Sequence, residues 1–191
     1  MSTVAIPGWN HQGILPPIID INTVTRSPYA VLFTDFVLRF GTTPKRQTIL
    51  SGFMSFRAQL HAAGLVKGFQ WINGSFLENI EMIENRDPAD VDVVTFFYLP
   101  PNKTQKDLNE AYPRLFNPVH TKDDYHVDAY FVQLNVDTPE TLVQLSSYWY
   151  SMWSHRRNCQ WKGYLQIDLS QIDDSKTTIS LDKTRDQRGQ P

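Results

Sequence analysis

The sequence predicts an α+β domain, close to α/β in character, in which a small mixed sheet is flanked by helices. Three observations predict it. Apolar residues recur at helical spacing over residues 44–63 and 142–152. Short runs rich in β-branched and aromatic residues lie at 68–73, 90–99, 125–134 and 162–169. The two kinds of segment interleave along the chain, as they do when helices cover a sheet. At 191 residues and 22.1 kDa, the chain buries roughly 70% of its unfolded surface on folding, enough for one core.

Residues 1–43 are punctuated by Pro7, Gly8, Gly13, Pro16, Pro17 and Pro28 and read as an irregular N-terminal wrap that lends Trp9, Ile14 and Leu15 to the core. Within it, Val31–Phe40 is open to strand or helix, with Asp35 and Arg39 at i, i+4 favouring helix. Thr43-Pro44 then supplies an N-cap and a proline at the first helical position, where its missing N–H is harmless. Ile49, Phe53, Phe56 and Leu60 form the stripe of that helix, and Gly64 stops it. The strand at 68–73 runs into Gly74-Ser75. Ser75 and Glu78 stand at capping-box spacing before a short stripe of Phe76, Ile80 and Ile83. Asp87-Pro88 breaks this helix, and the 90–99 strand ends at Pro100-Pro101.

A polar segment at 103–115 reads as a further helix, followed by the 125–134 strand. Asp137-Thr138-Pro139-Glu140 opens a helix with the stripe Leu142, Leu145, Trp149 and Met152. In the last strand, Leu165, Ile167 and Leu169 alternate with Tyr164, Gln166 and Asp168. The domain therefore spans 44–170, and 171–191, poor in large aliphatic residues, reads as a disordered or loosely docked polar tail.

Composition removes several classes of function. Eighteen Lys+Arg against 20 Asp+Glu give a formal charge of −2 and a pI near 6.2, which excludes a generic basic nucleic-acid coat. RNA stays conceivable as a partner only through a local basic patch. The longest apolar stretch, near Val91–Leu99, is far short of a bilayer span. Met1–Asn10 has neither a basic n-region nor an apolar h-region, so the expectation is a cytoplasmic protein without membrane contact. A single cysteine, Cys159, excludes an internal disulfide framework and a cysteine-based zinc cluster.

Chemistry concentrates in three places. Gly74-Ser75 sits at a strand-to-helix junction, Asp90-Val91-Asp92 opens the next strand, and Asp128 lies inside the third. Alternation along a strand puts Asp90 and Asp92 on one face, about 6.7 Å apart at Cα. Carboxylates so placed repel one another unless a cation relieves them. With the third strand beside the second, Asp128 joins them, and three hard oxygen donors suit Mg²⁺ or Mn²⁺. Each feature also has a plain structural role: a helix cap for Ser75, turn chemistry for the Asp-x-Asp pair, an ion pair for Asp128. His126, two residues from Asp128, is either a second ligand or a hydrogen-bonded structural residue. His155-Arg156-Arg157, with Lys162 nearby, suits either the negative end of a helix or a phosphate.

Gly74-Ser75, Asp90-Val91-Asp92 followed by Val93-Val94, and Asp128 between apolar neighbours resemble the motifs of the polymerase-β-type nucleotidyltransferase superfamily, over about residues 68–134. The opening Pro7-Gly8-Trp9-Asn10-His11-Gln12-Gly13-Ile14-Leu15-Pro16-Pro17 is similar to that of a group of small, uncharacterised bacterial proteins with such a fold. The resemblance implies metal-dependent transfer of a nucleoside monophosphate from an NTP, foremost ATP, to a hydroxyl of a protein, RNA or small molecule. It implies Asp90, Asp92 and Asp128 as holders of Mg²⁺ or Mn²⁺, Asp128 also as the catalytic base, and Gly74 and Ser75 at the triphosphate. Two departures stand out. Ser75 and Asp90 are 15 positions apart, longer than is usual in small members, and Phe76-Leu77 stands where such members commonly carry arginine. Lys103, Lys106, Lys122 and Arg86 are the cations left to offset triphosphate charge. The alternative is a binding protein that keeps the fold without turnover, an antitoxin or defence-complex subunit docking through Tyr148, Trp149, Tyr150, Trp153 and Trp161. A phosphohydrolase using the same carboxylates is the third reading.

Overall fold

A computed structural model describes residues 3–136, 138–172 and 174. The fold is α+β. Its elements are β1 (Tyr29–Ala30), α1 (Phe33–Phe40), α2 (Pro44–Ala62), β2 (Gly68–Asn73), a 3₁₀ turn (Ser75–Leu77), α3 (Ile80–Glu84), β3 (Val91–Phe97), α4 (Gln105–Ala111), α5 (Pro118–Tyr125), β4 (Val127–Gln133), α6 (Pro139–Trp153) and β5 (Leu165–Asp168). The sheet order is β1-β5-β2-β3-β4. β2 is antiparallel to both β3 and β5, whereas β3–β4 and β1–β5 are parallel pairs.

Cross-strand register sorts the side chains into two faces. The row Gln70, Thr95 and Phe131 points toward α1 and α2. There Arg57 on α2 donates to Gln70 Oε1 at 2.6 Å, and Phe56 meets Phe131 at 6.3 Å between ring centroids. Phe33, Phe36, Phe40, Phe53 and Phe76 close the rest of this layer as an aromatic network. The opposite row, Trp71, Val94 and Tyr130, faces α6. Tyr130 lies 4.9 Å from the Trp149 ring, and Trp153 packs edge-on against Tyr164.

Several local expectations hold. Thr43 caps α2 through Arg46 N, with Pro44 at the first helical position. β5 alternates buried Leu165 and Ile167 with the less buried Gln166 and Asp168. Other expectations are corrected. The first 43 residues are not wholly irregular, since they supply β1 and the helix α1. The capping box at Ser75 does not form: Gly74 precedes a 3₁₀ turn without a side-chain cap, and Glu78 is instead drawn into the interior as an anion. The 125–134 strand begins only at Val127. A helix, α5, capped by Asn117 and opened by Pro118, occupies the residues before it. In α6 it is Trp153, not Met152, that is buried; Met152 is 56% exposed.

The expected polar tail at 171–191 lies largely outside the described residues. One described residue within it, Asp174, is ion-paired to the fully buried Arg57 at 2.7 Å. Asp137, at the expected start of α6, lies outside the described residues.

Candidate acidic site at the β3–β4 edge

The site forms where β2 ends and β3 and β4 begin. Asn73, Asp92 and Asp128 are consecutive register partners across β2, β3 and β4. Partners in register share a face, and neighbouring strands are about 4.8 Å apart. Asp92 and Asp128 are therefore adjacent, well within the span of a shared cation. Asp90 stands just ahead of β3, with its carboxylate 15% exposed.

Gly74 decides how the corner is built. It holds φ +86°, a left-handed value that glycine adopts freely, and a Cβ there would collide with Asp92 Oδ2. The glycine is thus needed twice over: for the backbone turn and for the space the Asp92 carboxylate fills.

Lys122 is the cation the structure brings to these acids. It lies in the last turn of α5, with Nζ 2.7 Å from Asp90 Oδ2 and 3.7 Å from Asp128 Oδ2. His126 does not lie in the strand beside Asp128. It terminates α5 in the left-handed conformation, φ 56°, and its carbonyl accepts from Val91 N at 3.0 Å. That backbone hydrogen bond ties the end of α5 to the start of β3, which is why a lysine one turn earlier lands on Asp90.

The electrostatics follow from this crowding. Burial, and then the negative charges of Asp90 and Asp128, push Asp92 from the ordinary 3.8 up to about 6; Lys162 and Lys122 only partly offset them. Tyr130, two residues past Asp128 and on the same face, is held above the usual tyrosine range by burial and by the Asp128 carboxylate. The hydrogen bond to Asp90 keeps the Lys122 ammonium more firmly protonated than a free lysine.

A second charged cluster borders the Gly74-Ser75 corner. Glu78, 4% exposed, accepts from Lys162 at 2.8 Å and lies 3.1 Å from Arg156 Nε, while Arg156 Nη2 reaches Glu84 at 2.7 Å. Arg86 flanks the same Glu84 at 2.8 Å. Of the cations considered from sequence, Lys122 is thus taken up by the acids and Arg86 sits at the rim of this cluster. Lys103 and Lys106 fall beyond the opposite end of β3. In sequence, Lys162 and Arg156 suit a helix end or a phosphate; their common partner, Glu78, is disguised there by its capping-box spacing.

Three features of the site fit a hard divalent cation. The donor set is all oxygen. Asp92 is seated in a cradle that only glycine leaves open. Asn73 Oδ1 is buried without a hydrogen-bond partner among the described residues, although Asn73 Nδ2 donates to the Trp153 carbonyl at 3.0 Å. A buried orphan amide oxygen beside a carboxylate is a place for a cation or an ordered water. Among the described residues, no group of three or more His, Cys, Asp or Glu side chains stands ready to hold a metal. The carboxylates of Asp90 and Asp128 are instead drawn onto the Lys122 ammonium.

The geometry defines a class: a mixed-sheet α+β protein with clustered carboxylates at the start of a parallel strand pair, facing a glycine corner. Residues 7–168 match the model described as Family of unknown function (DUF6932), and the chain belongs to that family. No curated protein and no solved structure matches it. Among the described residues, no helix is long and apolar enough to cross a membrane.

Proposed function

We propose that this protein is a nucleotidyltransferase-type enzyme that transfers a nucleoside monophosphate from an NTP, foremost ATP, to a hydroxyl acceptor, with Mg²⁺ or Mn²⁺ held by Asp90, Asp92 and Asp128. The observation that carries this reading is the register of Asp92 with Asp128 on adjacent parallel strands, with Gly74 moulded around the Asp92 carboxylate. A divalent cation held there would stabilise the charge that develops as the acceptor oxygen bonds to the α-phosphorus and pyrophosphate leaves in line. Asp128, two residues before Tyr130 on the edge strand β4, is assigned the role of base that takes the proton of the acceptor hydroxyl. Gly74 and Ser75 are assigned to the triphosphate. Lys162 and Arg156 lend positive charge at that corner, in place of the arginine that Phe76 displaces.

The test is transfer of label from an NTP carrying radioactive α-phosphate to protein or RNA. Label that requires Mg²⁺ or Mn²⁺ and disappears in Asp92→Ala supports the reading. Labelling that is equal in the wild type and the variant ends it. Free phosphate released with no labelled acceptor points to the phosphohydrolase instead.

One feature favours the binding-protein alternative. Val143, Tyr148, Tyr150, Met152 and Trp161 are between 43% and 65% exposed on and after α6. Val143 with Tyr150, and Tyr148 with Met152, fall on two flanks of α6, and exposed apolar side chains of this kind suit a protein partner, as an antitoxin or defence-complex subunit requires. A stable hetero-oligomer in a native pull-down, with no metal-dependent labelling, would decide for it.

A further inference from the structure

We propose that Lys122 is a built-in counter-cation of the acidic site, competing with the divalent cation for the same carboxylates and so setting how tightly the site takes metal. The inference rests on the metal-holding reading given above and adds to it a residue whose part is to oppose metal entry.

Three carboxylates brought to one edge need positive charge nearby. Lys122 provides it from 2.7 Å at Asp90 and 3.7 Å at Asp128. Its side chain is nevertheless 51% exposed and therefore free to leave toward water. A lysine is a compact charge on a four-carbon stem, and exposed side chains change rotamer in picoseconds to nanoseconds. Lys162 differs on each count. It is 7% exposed and fixed on the equally buried Glu78, so it stays where it is.

The helix that carries Lys122 is itself firmly seated. Asn117 caps its start, and α2 approaches so closely that a Cβ on Gly52 would strike the Tyr125 carbonyl. The ammonium is thus delivered from a rigid base by a movable arm. Its cover is also incomplete. Among the described residues, Lys122 pairs with Asp90 and Asp128 but not with Asp92, and the buried Asn73 Oδ1 beside Asp92 has no hydrogen-bond partner. The Asn73 amide oxygen and the Asp92 carboxylate are what a divalent cation gains when it replaces the ammonium.

The test uses the full chain, stripped of metal, titrated with Mn²⁺ alone while free Mn²⁺ is followed by electron paramagnetic resonance. Lys122→Met keeps the stem and removes the charge. It is expected to bind Mn²⁺ about tenfold more tightly than wild type, since one close charge is worth on the order of one decade at a partly exposed site. Lys122→Arg keeps the charge and is expected to stay within about threefold of wild type. Adding Asp92→Asn to Lys122→Met is expected to abolish the gain.

A second readout needs no variant. Acylation of Lys122 by an amine-reactive ester, followed by peptide mass spectrometry, is expected to rise when Mn²⁺ saturates the wild-type chain. Equal or weaker Mn²⁺ binding by a folded Lys122→Met, or Lys122 labelling indifferent to Mn²⁺, overturns the inference while leaving the metal-holding reading intact. Absence of Mn²⁺ binding in all of these proteins overturns both.

Discussion

Asp92 is the carboxyl that burial and its acidic neighbours perturb most at the β3–β4 edge. Its folded-state carboxyl titrates near 6 against the ordinary 3.8, mainly through burial and then through Asp90 and Asp128. Between those two values the folded chain holds the proton more tightly than the unfolded chain does, so stability falls as pH rises through this window. Above it, an ionised Asp92 is a standing burden on the metal-free fold. Asp92→Asn is therefore expected to stabilise the metal-free protein at pH 7.5 by on the order of 1–3 kcal/mol. The difference is expected to vanish near pH 4, where wild-type Asp92 is protonated. Chemical denaturation in the presence of a chelator at both pH values checks this. A variant less stable than wild type at pH 7.5 would instead mark Asp92 as a structural partner.

Elements supply what single residues lack. The 3₁₀ turn after Gly74 and the segment after α6 are far apart in sequence, and the buried ion pairs of Glu78 with Lys162 and Arg156 hold them together. A buried ion pair adds little over an apolar substitute, but breaking one by removing a single partner costs about 3–5 kcal/mol. Glu78→Gln is thus expected to lower unfolding stability by that amount, and Glu78→Gln with Lys162→Met to recover part of it. Denaturant midpoints of the two variants measure the difference. Recovery in the double variant distinguishes an unpaired buried charge from simple loss of packing.

The N-terminal motif acts on the same corner. Trp9 Nε1 donates to the Leu77 carbonyl at 2.7 Å, and the Asn79 amide donates to the Gly13 carbonyl at 2.8 Å. The Pro7–Pro17 opening therefore braces the turn that carries Gly74 and Ser75.

At the scale of the whole molecule, Arg57 ties the end of the described chain to the centre of the sheet. It is fully buried and donates to Gln70, to the Ser170 carbonyl and to Asp174. The composition of 171–191 suggests a dispensable tail, but truncation after Ser170 removes Asp174 and strands the guanidinium. That truncation is expected to lower stability by about 3 kcal/mol, and Asp174→Asn by a smaller amount, since the amide oxygen still accepts. Thermal melts of both against the full chain test it.

The α+β class, the two long helices and four of the five strands are legible in the linear chain, as is the glycine at the end of β2. Periodicity, caps and strand propensity are local, and local signals survive in a linear chain. It could not show that Asn73, Asp92 and Asp128 form one cross-strand row, that Lys122 lies between Asp90 and Asp128, or that Glu78 is an interior anion and not a cap. Those facts depend on strand register and helix docking, which bring together residues dozens of positions apart. Only the packed fold fixes such distances, and a charge gains its meaning from the partner it meets there.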